Sequence, residues 1–335
     1  MSSSSIFPAQ YSTLSAAALK RYIATAYNIE VLICRYLLRG VSDTYVLEAD
    51  QAKYIFKVYR DQHRSLEEIK GEVELLYILK DAGASVSYPV ADIFNSSIQK
   101  FDAAEGVRYG VLFTYAEGSP VYEFGDEQLK TIGRQMAIVH NVTSVGKLNY
   151  ERKSYTIDTT LTQPLAVLEP AFADLPEEYA YLKQTAEQVI QKLNSFDTDK
   201  FSYGYCQYDF LPKNFHFNET ATLTFFDFDF AGKGFLVNDL MSFFVHFFMQ
   251  NYTGKITNEE VDRMFAVFIA GYRENRNLTD DELKAIPYLG VGFWIFYLGF
   301  QYQNFDDWSN PFFGPRFIKE RVSLIQSWVN KYCEF

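Results

Sequence analysis

Three apolar runs near the start of the chain alternate as half-buried strands do: "IEVLICRYLL" (29–38), "TYVLEAD" (44–50) and "KYIFKVYR" (53–60). They are rich in β-branched and aromatic residues, and Gly40 and Asp50-Gln51 break them apart, so they read as an antiparallel meander. The pattern then changes period. In "SLEEIKGEVELLYILKDAGA" (65–84), Ile69, Val73, Leu76 and Leu79 recur on one helical face. Ser65 stands at the N-cap position, Glu67 and Glu68 lie in the first turn, and Gly83 supplies the stop. Two further strands are expected around "YPVADIF" and over 108–118, and after Gly118-Ser119-Pro120 the pattern becomes helical, notably over 126–142 and 177–195. This order predicts an α+β fold: a five-stranded antiparallel sheet with one helix, followed by a mainly helical body. The expected division is 1–115 and 116–335.

Within the helical part, one stretch reads differently. "GYCQYDFLPKNFHF" (204–217) sets Asp209 and Asn214 among aromatic residues, and nine residues beyond Asn214 the run "LTFFDFDFAG" places Asp227 and Asp229 between phenylalanines. Burying a carboxylate without a partner is costly, so polar groups in such runs have a job or a specific partner. Phosphoryl transfer requires such groups: a cation for the nucleotide phosphates, a carboxylate to hold that cation, a carboxylate at the attacking hydroxyl, and oxygen ligands for magnesium. The chain offers Lys57 within the third strand, Glu72 in the following helix, Asp209 and Asn214 on one loop, and Asp227 just after an apolar strand.

In this arrangement the chain resembles the aminoglycoside phosphotransferase and choline-kinase superfamily, small-molecule kinases with a two-lobed, protein-kinase-like fold. The family's catalytic loop, H-G-D-x-x-x-x-N, is matched by Gln207-Tyr208-Asp209 through Asn214, and its metal segment by Phe226-Asp227-Phe228-Asp229. The resemblance implies that Asp209 is the catalytic carboxylate, that Asn214 and Asp227 bind Mg2+, and that Lys57, held by Glu72, contacts the α- and β-phosphates of ATP or GTP. It also implies that Phe113, Thr114, Tyr115 and Ala116 form the hinge on which adenine hydrogen-bonds, and that Asp239 ties the catalytic loop together. The nucleotide is then expected in the cleft of a two-lobed fold, with a small-molecule hydroxyl as acceptor. Two departures stand out. Gln207 replaces the family's loop histidine, and the phosphate-covering segment 37–45 has only Gly40, without the glycine-rich pattern of protein kinases. A stress-response-type protein kinase and an inactive nucleotide-binding pseudokinase are the alternative readings.

Taken one at a time, these residues have plainer explanations. A strand lysine is usually an edge charge, loop Asp and Asn usually make turns, and Glu74 rivals Glu72. Asp229 is either a second metal ligand or a residue that holds the loop. His140 and His216 read as packing or structural residues, and His246 as a satisfied core histidine. The carboxyl-terminal aromatic residues read as core first, but with carboxylates nearby they also suit a cationic acceptor through cation–π attraction. Trp294, Tyr297, Tyr302, Asp306, Asp307 and Trp308 are the candidates.

Composition narrows the partners. A net charge of −11 argues against a nucleic-acid backbone as the main ligand. Three cysteines, Cys34, Cys206 and Cys333, show no metal or disulfide spacing, which with the absence of a signal-peptide pattern at the start predicts a cytoplasmic protein. The charge-free stretch 285–305 has the length of a membrane span, but Pro287, Gln301, Gln303 and Asn304 crowd its ends, so a buried helix is expected.

Overall fold

The computed structural model describes residues 7–60, 63–304 and 313–335. The chain divides into two compact units. The first holds the residues up to Gly118 together with Leu148–Glu151 and Thr224–Asp229; the second holds Ser119–Lys147, Arg152–Leu223 and the residues from Phe230 onward.

The first unit is a sheet with a helix on each face. Helix α1 (Ala16–Tyr27) starts where the Ser15 hydroxyl accepts from Ala18 N and stops at Asn28, whose φ of 52° is left-handed. Strands β1 (Val31–Arg39), β2 (Ser42–Ala49) and β3 (Lys53–Tyr59) follow, then α2 (Leu66–Asp81), β4 (Pro89–Val90), β5 (Ile98–Ala103) and β6 (Gly106–Thr114). The sheet order is β1-β2-β3-β6-β4, with β5 also paired to β6, and every pairing is antiparallel. Leu19, Ile23 and Tyr27 of α1 bury against Tyr45, Leu47, Phe56, Val58 and Leu112. Because strand side chains alternate, the burial of Phe56 and Val58 under α1 sends Lys57 to the opposite face, where α2 lies. Ser65 is the N-cap of α2, as expected, and it forms a capping box with Glu68.

The sheet thus has six strands where the sequence predicts five, and the unit has two helices where it predicts one. Strand β5, "IQKFDA", is short and half polar, so its alternation is weak. Helix α1 had a legible signal in Ser15 and the i, i+4, i+8 spacing of Leu19, Ile23 and Tyr27, in a stretch that is otherwise alanine and polar residues. At the base of β2, the fully buried Arg108 donates to Val58 O, Tyr59 O, Ser12 O and Asp43 Oδ2 at 2.8–3.0 Å, fastening the segment before α1 to the sheet.

The second unit is mainly helical. It contains α3 (Asp126–Thr143), α4 (Gln163–Leu168), α5 (Pro176–Leu193), β7 (Tyr203–Cys206) and β8 (Phe215–Phe217), and after the short β9 (Leu223–Phe225) it resumes with β10 (Gly232–Phe235). Helices α6 (Val237–Tyr252), α7 (Asn258–Arg273), α8 (Asp280–Asn304) and α9 (Pro315–Tyr332) complete it. Strands β7 and β10 pair antiparallel and bracket the segment that carries Asp209 and Asn214. Helices α3 and α7 approach closely because Gly133 and Gly271 leave room: a methyl at either would collide with a backbone carbonyl of the other helix. Helix α8 contains the described residues of the charge-free stretch, 285–304. By length and composition it passes as a membrane span, but 61% of its most apolar window is buried inside the unit, the placement of a core helix. The Trp328 indole fills the space over Gly290 and donates to Pro287 O at 2.8 Å.

Candidate active site

The first unit gathers three carboxylates around the Lys57 ammonium. Lys57 Nζ lies 2.6 Å from Asp227 Oδ1, 3.6 Å from Asp229 Oδ2 and 3.9 Å from Glu72 Oε1. Burial pushes the ammonium toward neutrality, but Asp227, Asp229 and Glu72 outweigh it and hold Lys57 charged well above its ordinary range. Glu72 is fixed from behind by the Tyr59 hydroxyl at 3.0 Å. Exposure separates the three carboxylates: Glu72 and Asp229 side chains are 1% and 5% exposed, whereas that of Asp227 is 40% exposed. Asp229 is also flanked by Arg64, whose Nε donates to its carbonyl at 2.9 Å and whose Nη2 lies 3.8 Å from its carboxylate. Asp227 has a φ of 64°, a left-handed conformation that is uncommon outside glycine and that concentrates at functional sites.

The expected hinge lies at the end of β6. Thr114 has both backbone groups committed: its N–H donates to Tyr88 O at 3.0 Å and its carbonyl accepts from Ser87 Oγ at 2.6 Å. Phe113 is paired within the sheet to Ile55 and Pro89, while Tyr115 and Ala116 lie past the last strand residue.

In the second unit, Asp209 is 4% exposed on the turn after β7. Asn214 Nδ2 donates to Asp209 O at 2.7 Å and to Oδ2 at 2.9 Å, while Lys213 Nζ pairs with Oδ2 at 2.8 Å. The loop backbone is anchored to α6. Asp239 accepts from Gln207 N at 2.9 Å and Tyr208 N at 2.7 Å, and Ser242 Oγ accepts from Phe210 N at 3.0 Å. Tyr208, with φ of 65°, takes the strain that turns Asp209 out of the strand direction. His140 Nε2 sits 3.0 Å from Asp239 Oδ2 and its Nδ1 sits 2.8 Å from Tyr272 Oη. An imidazole from α3 therefore supports the loop's anchor in a protein whose loop itself carries Gln207.

Beside Asp209, one face of α8 forms an aromatic wall. The Tyr297 ring packs on Phe293 at 4.6 Å and on Phe230 at 5.2 Å between centroids, and Phe296 packs on Tyr208 at 5.3 Å. Burial, and then the charge of Asp209, push the Tyr297 phenol well above its ordinary range, so it stays protonated. The other acceptor candidates lie elsewhere. Trp294 packs against Phe248 and Trp328, and Tyr302 against Phe313, while Asp306, Asp307 and Trp308 fall outside the described residues. His246 Nε2 donates to Tyr122 O, 2.9 Å away, as a satisfied, half-buried histidine.

Sequence reading passed over Lys213, Arg64 and the role of His140. Lys213 could have been suspected from its place next to Asn214 on the same loop. The partners of Arg64 and His140 are 165 and 99 residues away in sequence, and no local pattern announces them.

A phosphotransferase enzyme family model matches residues 34–278. Amicoumacin kinase of Bacillus subtilis (strain 168) is 24% identical over 293 residues, covering 84% of both chains. Among solved structures, amicoumacin kinase hAmiN in complex with AMP-PNP, Ca2+ and Ami has a TM-score of 0.72 at 21% identity, covering 92% of this chain and 94% of that one. A microcompartment-associated aminopropanol kinase has a TM-score of 0.73 at 18% identity, covering 93% and 95%. The chain belongs to the phosphotransferase enzyme family, and its fold is the two-lobed, kinase-like fold of that group. It is an enzyme of the small-molecule kinase class, as the resemblance to the aminoglycoside phosphotransferase and choline-kinase superfamily implies.

Proposed function

We propose that this enzyme transfers the γ-phosphoryl group of ATP or GTP, with Mg2+, to a hydroxyl of a small molecule that carries an amine. The observation that carries the reading is the Lys57 cluster: a buried ammonium held charged by Asp227, Asp229 and Glu72, with Asp227 solvent-facing on strained backbone. Such an ammonium serves to bind the α- and β-phosphates. The hinge hydrogen bonds to the base are assigned to the segment Phe113 to Ala116, in which Thr114 already bonds to Ser87 and Tyr88.

Each residue expected to hold magnesium carries a donor that suits the ion. Asp227 offers a carboxylate, and Asn214, with its amide nitrogen on Asp209, offers an amide oxygen. Both are hard oxygen donors, and Mg2+ typically takes one or two of these alongside water and phosphate oxygens. No cluster of three or more His, Cys, Asp or Glu among the described residues would hold a metal by itself. The ion would neutralise phosphate charge. The buried Asp229, between Lys57 and Arg64, is assigned the role of holding the metal segment.

Asp209 receives the acceptor hydroxyl. Its carboxylate orients the oxygen and takes the proton as the new O–P bond forms and the bond from the γ-phosphorus to the bridging oxygen breaks, releasing the nucleoside diphosphate. Asn214 and Lys213 fix the carboxylate's direction, so catalysis comes from positioning. The Phe230, Phe293 and Tyr297 wall gives a cationic acceptor an aromatic face. Two similar proteins are named for kinase activity on amicoumacin and on aminopropanol, which agrees with an amine-bearing acceptor. The test is diphosphate release from MgATP and MgGTP against a panel of amino alcohols, sugars and hydroxylated antibiotics. Release stimulated by amine-bearing acceptors supports the reading; no metal-dependent nucleotide binding contradicts it.

A further inference from the structure

On the first unit, a cavity of about 600 Å³ opens between the end of α2, strand β4 and the end of β6. It is distinct from the Lys57 cluster. Side chains alternate along a strand, so Tyr54, three residues from Lys57 on β3, points to the other face of the sheet, and Thr114 points away from the face that Phe113 takes. Tyr54 also packs against the core beneath α1, on the face opposite Lys57.

The chemistry of the walls is specific. Three tyrosines, Tyr54, Tyr77 and Tyr88, contribute to the lining, and Lys80 is its sole charged residue among the described residues. Its ammonium stands 4.9 Å from the Tyr88 ring centroid and 5.9 Å from that of Tyr77. It pairs with Asp81, 3.8 Å away and 75% exposed, a screened contact of little strength. Ser97 meets the Tyr77 hydroxyl at 2.8 Å, which fixes two wall residues against each other. The β4–β5 loop is also built to hold its shape: Asp92 Oδ1 accepts from Phe94 N and Ser96 N, and its Oδ2 accepts from Gln99 Nε2. That carboxylate is thereby satisfied within the loop.

The volume lies in the range of small-molecule sites, and the lining has their usual make-up, aromatic surface with a few fixed polar groups. We propose that this cavity binds a planar aromatic anion, stacked on the tyrosines with its charged group on Lys80. A cation would meet the lysine's like charge, and an aliphatic anion would leave the tyrosine faces unused.

The probe for the test is 8-anilinonaphthalene-1-sulfonate, followed by its fluorescence in titration against the full-length protein, with its uncharged parent N-phenyl-1-naphthylamine as comparison. Saturable binding is expected. Lys80→Glu and Tyr88→Ala should each weaken it tenfold or more, while Lys70→Glu, on the same helix but outside the cavity, should leave it unchanged. The uncharged parent should bind at least tenfold more weakly, and saturating MgATP should not displace the probe. Unchanged affinity in both cavity variants, equal affinity for the uncharged parent, or displacement by MgATP would each overturn the proposal. Far-ultraviolet circular dichroism of the variants controls for folding, and Lys80 is exposed at a helix end where substitution is tolerated. None of these readouts depends on phosphoryl transfer, so the outcome is independent of the kinase reading.

Discussion

Removing the Lys57 ammonium should expose how tightly the cluster is balanced. In Lys57→Met the side-chain volume is nearly kept, but Glu72 and Asp229, 1% and 5% exposed, lose the cation they face. The Glu72 pair at 3.9 Å is worth about 4 kcal/mol at the effective dielectric of about 20 suited to such sites. Measured losses on breaking buried pairs by removing one partner run at about 3–5 kcal/mol, because the partner is left buried and charged. Urea unfolding of the variant should therefore show a loss of about 3–5 kcal/mol. The double variant Lys57→Met/Glu72→Gln should recover at least about 1 kcal/mol of the summed single losses, since the glutamine needs no counter-charge. A loss below about 1 kcal/mol in Lys57→Met, or strict additivity in the double variant, would refute the claim that Lys57 and Glu72 form a buried pair.

Other consequences concern the second unit. Gly133→Ala places a methyl against the Phe268 carbonyl on α7, where no flexible side chain can yield, and should cost about 1–3 kcal/mol in thermal unfolding. Gly254→Ala meets nothing within 4 Å and should show only the strain of its φ of +75°, about 1 kcal/mol. His246 is held low, to about 4, chiefly by burial. Its folded pKa lies below the unfolded value of 6.5, so its neutral form contributes fully above pH 6.5. That contribution is lost as pH falls toward 4, by about 2 kcal/mol after allowance for partial exposure. His246→Gln should flatten this part of the stability profile; an unchanged slope between pH 6.5 and 4 would contradict the assignment.

How far the sequence revealed this molecule depends on how local each signal is. Lys57, Glu72, Asp209, Asn214 and Asp227 sit within short patterns whose order along the chain is itself informative. Helix α2 was legible through its cap and period, and α8 through its charge-free run. Residues that act across long separations were not. Arg64 reaches Asp229, and His140 reaches Asp239, through tertiary packing alone. The aromatic candidates on α8 show the same limit. Composition could not say that Tyr297 turns to Asp209 while Trp294 turns to Trp328, because that depends on which neighbours the helix meets.

The account's central claim is that Asp209 acts on the acceptor while Lys57 and Asp227 serve the nucleotide. The direct measurement is Asp209→Asn, assayed side by side for MgATP affinity and for acceptor-dependent turnover. Removing a positioned base costs about 100-fold or more, so turnover should fall at least that far while nucleotide affinity stays within about threefold of the parent. Turnover close to the parent's, or loss of nucleotide binding in step with turnover, would contradict the division of roles.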